Sequence, residues 1–199
     1  RLITTTLDTL ISQFFFAVTP TMGAIAVGDT GERQYSVFKT MTFATFWCGC
    51  FCVSSFLALA TPFVTNIWLG GKYQVPITIV AALALNLYTR TIARPATMVR
   101  TANGLFTQGA IRPAVMAVLN IALDLALVGV MGVEGVLLAT SLSRLLTQLW
   151  YDPLLAYRNV YHRPYGEYVR AFCGYFLVTA ACCAGTWYLC GLLDVIANV

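Results

Sequence analysis

The stretch IRPAVMAVLNIALDLALVGVM, Ile111 to Met131, decides the fold. As a helix rising 1.5 Å per residue it would be about 31 Å long, and the hydrocarbon layer of a bilayer is about 30 Å thick. Apart from Arg112 at its start, Asn120 and Asp124, it is apolar on every face, which a helix in water is not. The rest of the chain has the same character. Of 199 residues, 59% are apolar and 10% charged, and the mean hydropathy is +0.76. Soluble domains carry about 25% charged residues, so composition argues against a soluble enzyme, a disordered tail and a disulfide-stapled secreted module. The lipid bilayer is the expected solvent.

Working outward from Ile111, apolar runs long enough to span recur between clusters of turn-forming and charged residues. Six transmembrane helices are predicted, at about 2–26, 37–60, 76–102, 111–131, 133–157 and 168–193. They form one all-α membrane domain. GDTGERQ at Gly28 to Gln34, WLGGKYQVP at Trp68 to Pro76, NGLFTQG at Asn103 to Gly109, MGVEG at Met131 to Gly135 and YHRPYGE at Tyr161 to Glu167 punctuate them. Pro76 and Pro113 sit where a first helical turn tolerates a missing N–H. Pro20, Pro95 and Pro153 fall inside predicted helices and predict kinks or broken hydrogen bonds there.

Twelve Lys and Arg against eight Asp and Glu leave a net charge of +4. In a membrane protein that excess reports cytoplasmic loops rather than nucleic acid. Arg33 and Lys39, then Arg100 and Arg112, then Arg158, Arg163 and Arg170 mark alternate loops, while Lys72, Glu134 and Asp194 stand on the others. The first helix is therefore predicted to run from outside to inside. Trp68 and Tyr73 fit an outer aromatic belt; Tyr151, Tyr157, Tyr161, Tyr165 and Tyr168 fit an inner one. All seven cysteines lie in apolar runs without a CxxC pair, and His162 is the one histidine. Neither a metal site nor a cofactor motif is read.

Three ionisable residues are predicted close to the bilayer midplane: Arg90, Asp124 and Arg144. A charge there costs about 2.5 to 3.5 kcal/mol on insertion scales and persists where a cavity or partner compensates it. Asn86, Arg90 and Arg94 are four residues apart, so an amide and two guanidiniums share one helical face. Two readings fit. In the first, the arginines line a hydrated cavity that draws in an anionic group, with Asp124 as counter-ion or proton carrier. In the second, Asp124 pairs with Arg90 or Arg144 and fixes helix register. Arg94 and Arg100 are also placed to snorkel towards headgroups, and Asp8 lies within reach of the outer interface.

The order of motifs resembles the C-terminal part of the polysaccharide transporter family, the O-antigen and teichoic-acid repeat-unit flippases of the multidrug/oligosaccharidyl-lipid/polysaccharide exporter superfamily. The resembling residues are TPTMG at Thr19 to Gly23, PFVTNIWLGGKY at Pro62 to Tyr73, RPATMVRTANGLF at Arg94 to Phe106, Ile111 to Leu145, and WYDPLLAYRNVY at Trp150 to Tyr161. The resemblance implies twelve to fourteen helices in two lobes around a central cavity. This chain would supply about the eighth to thirteenth, without the N-terminal lobe. It implies a bacterial cytoplasmic-membrane protein that moves a polyprenyl-diphosphate-linked oligosaccharide outward by alternating access, coupled to an ion gradient, with Arg90, Arg94 and Arg144 facing the cavity. A guanidinium stays charged and binds phosphate oxygens bidentately.

Within the same superfamily, a peptidoglycan-precursor flippase and a MATE-type drug/cation antiporter are the alternatives; the surplus of mid-helix arginine over acid favours anionic cargo. A membrane glycosyltransferase or acyltransferase needs an acid or histidine at an aqueous face. The outer loops offer only Glu134 and Asp194, so no enzymatic activity is expected. A structural membrane subunit would predict that every arginine is paired.

Overall fold

The computed structural model describes residues 4–13, 23–24, 31–64 and 76–197, with side chains as far as residue 191. Pro20, Trp68, Lys72 and Tyr73 lie outside the described residues, as do most of the TPTMG and PFVTNIWLGGKY stretches. The described residues are helical and include no strand. We denote the helices α1 (residues 4–13), α2 (Gly31–Pro62), α3 (Ile77–Ile92), α4 (Arg94–Ala102), α5 (Phe106–Gly109), α6 (Ile111–Met131), α7 (Val133–Leu146), α8 (Gln148–Ala156) and α9 (Gly166–Ala197). A π-helical turn, Tyr157–Tyr161, follows α8. His162 then takes a left-handed conformation (φ 50°) and turns the chain towards α9.

Gly31–Pro62, Phe106–Met131 and Gly166–Gly191 are long and apolar enough to cross a membrane. The predicted spans at 76–102 and 133–157 are instead broken helices. Pro95 lacks the N–H that would bond to Thr91, and the chain passes through a turn at Ala93 before α4 begins. The second break is at Thr147 (φ −119°, ψ −75°). It is not at Pro153, which the sequence reading takes as the interruption and which α8 accommodates in its interior.

Cross-helix bonds fix the course of the chain. Thr78 bonds Glu134, Arg144 bonds Thr89 and Gln148 bonds Thr97, at sequence separations of 56, 55 and 51 residues. The near-constant separation means α3–α4 and α7–α8 run parallel. In the same way Arg163 bonds Glu32 and Tyr35 bonds Glu167 across 131 and 132 residues, so α2 and α9 also run parallel. The connections therefore alternate between the two ends of an up-and-down bundle.

The core lies between α2, α3–α4, α7–α8 and the first turns of α9. On α2 the buried residues Phe38, Met41, Thr45, Gly49, Val53, Phe56 and Ala60 recur every three or four positions, which makes one seam along the helix. Near the Glu32–Arg163 end, Tyr35, Phe38, Tyr157, Tyr161 and Tyr168 form an aromatic cluster, with ring centroids 5.1 Å apart for Tyr35 and Tyr161 and 5.9 Å for Tyr157 and Tyr168. Burial pushes the phenol of Tyr165, at the edge of this cluster, up to about 12.

α6 is different. None of its residues is buried, and Ile111, Val118, Ile121, Leu125 and Val130 are each at least 60% exposed. It is held along a half-buried stripe through Arg112, Met116, Asn120 and Leu127, chiefly against α7. Gly132, at φ 60°, makes the tight α6–α7 turn. Gly135 lets the helices meet, because a Cβ there would stand 2.5 Å from the Leu127 carbonyl oxygen.

Candidate functional site

The four-residue spacing of Asn86, Arg90 and Arg94 places them down one side of the α3–α4 helix. Because α7–α8 runs parallel beside it, Arg144 reaches the same level. Arg90, Arg94 and Arg144 line one groove of about 610 Å³ together with Asp8 and Ser12 of α1, Thr97, Met98 and Thr101 of α4, Met116 of α6 and Gln148 of α8. Asn86 lies in a side recess of about 50 Å³, shared with Asp8 and Arg90.

The groove is internally paired but not neutral. Asp8 Oδ2 is 3.2 Å from Arg90 Nη1, and Asp8 Oδ1 is 2.5 Å from Arg94 Nη2. Arg144 Nη1 donates to Thr89 Oγ1 at 3.1 Å and to the Asn86 carbonyl at 3.3 Å. Asn86 thus contributes its backbone oxygen to the arrangement. Three guanidiniums against one carboxylate leave a two-charge positive excess in the described lining. Arg90 faces the opening with 57% of its side chain exposed, whereas Arg144 is 8% exposed. This gradient sets an exposed guanidinium at the mouth and a buried one at the wall.

Asp124 stands apart from this groove. The reading in which it pairs with Arg90 or Arg144 is not what the described residues form: Arg90 pairs with Asp8, and Arg144 donates to the Thr89 hydroxyl and the Asn86 carbonyl. Asp124 lies on α6 against α7, one turn from Asn120. With its amide oriented to satisfy its neighbours, Asn120 donates to Asp124 Oδ2 at 3.3 Å and accepts from the Thr140 N–H at 3.3 Å. Asp8, read from sequence as an interfacial residue, is the acid that meets the arginines. One sequence alone does not pair Asp8 with arginines that lie 82 and 86 residues away.

A second charged centre was not anticipated. Asp152 of α8 is fully buried, with Arg100 Nε 3.3 Å from Oδ1 and Arg112 Nη1 2.7 Å from Oδ2. Thr97 Oγ1 donates to Oδ2 at 2.8 Å and accepts from Gln148 Nε2 at 3.0 Å. Arg100 and Arg112 are only 11% and 12% exposed. Arg100 therefore does not snorkel to headgroups; Asp152 holds it inside, because a carboxylate with no access to water needs cationic partners. The triad ties α4, α6 and α8 together beneath the groove.

At the end of the bundle, Arg163 Nη2 donates to both Glu32 oxygens at 2.8 Å, and this bond raises the guanidinium's already high pKa. Tyr35 donates to Glu167 at 2.7 Å. His162 makes no acid–base constellation with these groups, and no group of three or more metal-ligating side chains occurs among the described residues. What the arginine groove offers chemically is electrostatic capture of an anion by preformed guanidinium donors. No protein-family model, no curated protein and no solved structure matches the chain.

Proposed function

We propose that this chain is part of a membrane transporter of the polysaccharide-flippase type, with six membrane-spanning passes, that moves a polyprenyl-diphosphate-linked oligosaccharide across the cytoplasmic membrane by alternating access. The observation that carries the reading is the open groove lined by Arg90, Arg94 and Arg144, in which Asp8 is the one acid among the described lining residues. A membrane interior tolerates an excess of guanidinium only where water or an anion meets it. A diphosphate supplies two or more negative charges and oxygens that suit bidentate donors.

The steps follow from the groove's own residues. Arg90 at the mouth meets the incoming anion first. As the anion advances it competes with Asp8 for Arg90 and Arg94, so loading exchanges an internal ion pair for one with the cargo. Arg144, held by Thr89 and Asn86, keeps its place and marks the inner limit. The apolar tail of such a cargo would remain in lipid, and no covalent bond is made or broken.

The test uses the full-length protein in its own cell. Arg90→Ala or Arg144→Ala is expected to abolish surface polysaccharide while membrane insertion stays intact, and polyprenyl-linked oligosaccharide should accumulate on the inner leaflet. Normal polymer levels in both variants would overturn the reading.

A further inference from the structure

A second recess opens on the exposed side of the bundle. Arg112 and Val115 of α6 face Leu146, Trp150, Tyr151 and Leu154 of α7 and α8 across a groove of about 330 Å³. It shares no lining residue with the arginine groove. Its walls are apolar, with Val115 51% and Leu146 55% exposed, as suits contact with an acyl chain.

One feature of the lining is charged. Asp152 is a single carboxylate between two guanidiniums, so one positive charge is left over among groups almost out of water. Of the two arginines, Arg112 is the one that lines the groove, and its Nε is buried and donates to no acceptor. The neighbouring hydroxyls are already engaged. Thr147 donates to the Ser143 carbonyl at 2.6 Å, and Tyr151 donates to the Gln108 carbonyl at 2.7 Å. An anion entering here therefore finds Arg112. The groove also lies towards the end of the bundle that carries Arg158 and Arg170, and basic residues near a bilayer surface attract anionic lipids.

We propose that this groove binds an anionic glycerophospholipid, one acyl chain lying along Val115, Leu146 and Leu154 and the phosphate meeting Arg112. The lipid supplies the negative charge that the Asp152 triad lacks, and it covers a face of α6 that none of the described helices covers.

The experiment is a lipid titration of the purified full-length protein followed by native mass spectrometry, with dioleoyl phosphatidylglycerol and dioleoyl phosphatidylcholine as probes. One basic residue near a membrane surface is worth about a fivefold preference for the anionic lipid. We expect the wild type to show it and Arg112→Gln to lose it. Val115→Trp fills the groove from an already exposed position without touching the Arg112–Asp152 pair, so it is expected to weaken both lipids, and it decides the matter if Arg112→Gln does not fold. Equal affinity of the wild type for the two probes would overturn the proposal. So would a preference that survives both variants, or undecaprenyl phosphate displacing phosphatidylglycerol at lower concentration. Any of these outcomes leaves the polysaccharide phenotype of Arg90 and Arg144 variants untouched.

Discussion

Asp152→Ala removes the one acid of a triad that contains two arginines, and the asymmetry makes its effect calculable. Asp152 has no exposure, and Arg100 and Arg112 retain only 11% and 12%. Breaking a buried ion pair by deleting one partner costs about 3 to 5 kcal/mol, because the other charge is left uncompensated. Here the guanidiniums lie towards one end of the bundle, and in separated helices their long stems let them reach water, so we place the cost at about 3 kcal/mol. Arg112→Gln acts in the opposite sense on charge: it leaves Arg100 and Asp152 as a balanced pair. Its cost is then nearer that of a lost hydrogen bond to a charged group, about 1.5 kcal/mol. Asp124→Asn, which breaks no ion pair among the described residues, serves as the control at under about 1 kcal/mol. Unfolding in mixed micelles by titration with dodecyl sulfate, followed by Trp fluorescence, measures all three; Trp150 packs on Phe172 beside the triad and reports on it. The reasoning fails if Arg112→Gln costs as much as Asp152→Ala, or if Asp152→Ala unfolds together with the control.

Three further outcomes are expected. Gly135→Ala places a Cβ 2.5 Å from the Leu127 carbonyl and pushes α6 off α7; overpacking of this kind costs about 1 to 3 kcal/mol, and a thermal melt indistinguishable from wild type would contradict the close approach. Asp8→Asn removes the carboxylate that competes with an external anion for Arg90 and Arg94, so inorganic pyrophosphate should bind about fivefold more tightly, from about 1 kcal/mol for a partly exposed pair, with the gain shrinking at high salt; unchanged or weaker binding by calorimetry would show that Asp8 does not occupy the anion's place. Cysteines introduced at Glu32, Thr107 and Arg163 should label from one side of the membrane and those at Lys72 and Glu134 from the other, and labelling of Thr107 and Glu134 from the same side would break the up-and-down course.

The helices that a sequence reveals here are those whose environment is uniform along their length. α2, α6 and α9 keep an apolar composition for twenty residues or more, and that alone marks them as able to cross a bilayer. Pro95 announces the break before α4 because a missing N–H is a local fact. The break at Thr147 has no such marker: Thr147 is an ordinary helical residue, and the proline nearby sits inside α8 without ending it. The four-residue spacing of Asn86, Arg90 and Arg94 gives a shared face directly. Their acid was not legible, because Asp8 meets Arg94 across 86 residues of sequence. Asp152 was hidden for the same reason, its arginine partner Arg112 being 40 residues away. A signal did exist, since Asp152 is an acid among WYDPLL at about the depth of Arg100 and Arg112 from the same end. Weighing charges by depth rather than by loop would have grouped the three.

The interruptions at Ala93 and Thr147 lie side by side. With α3–α4 and α7–α8 running parallel some 51 to 58 residues out of phase, position 93 stands level with position 147, and the two form a crease across the bundle. Arg90 and Arg144 sit on one side of it; Arg94, Thr97 and Gln148 sit on the other. Tilting the lower half about this line changes the distance between the two sets of groups while every hydrogen bond within α3, α4, α7 and α8 stays intact. The spacing of the groove's guanidiniums is thereby linked to the angle at the crease, since Arg90 and Arg94 stand on opposite sides of it while both meet Asp8.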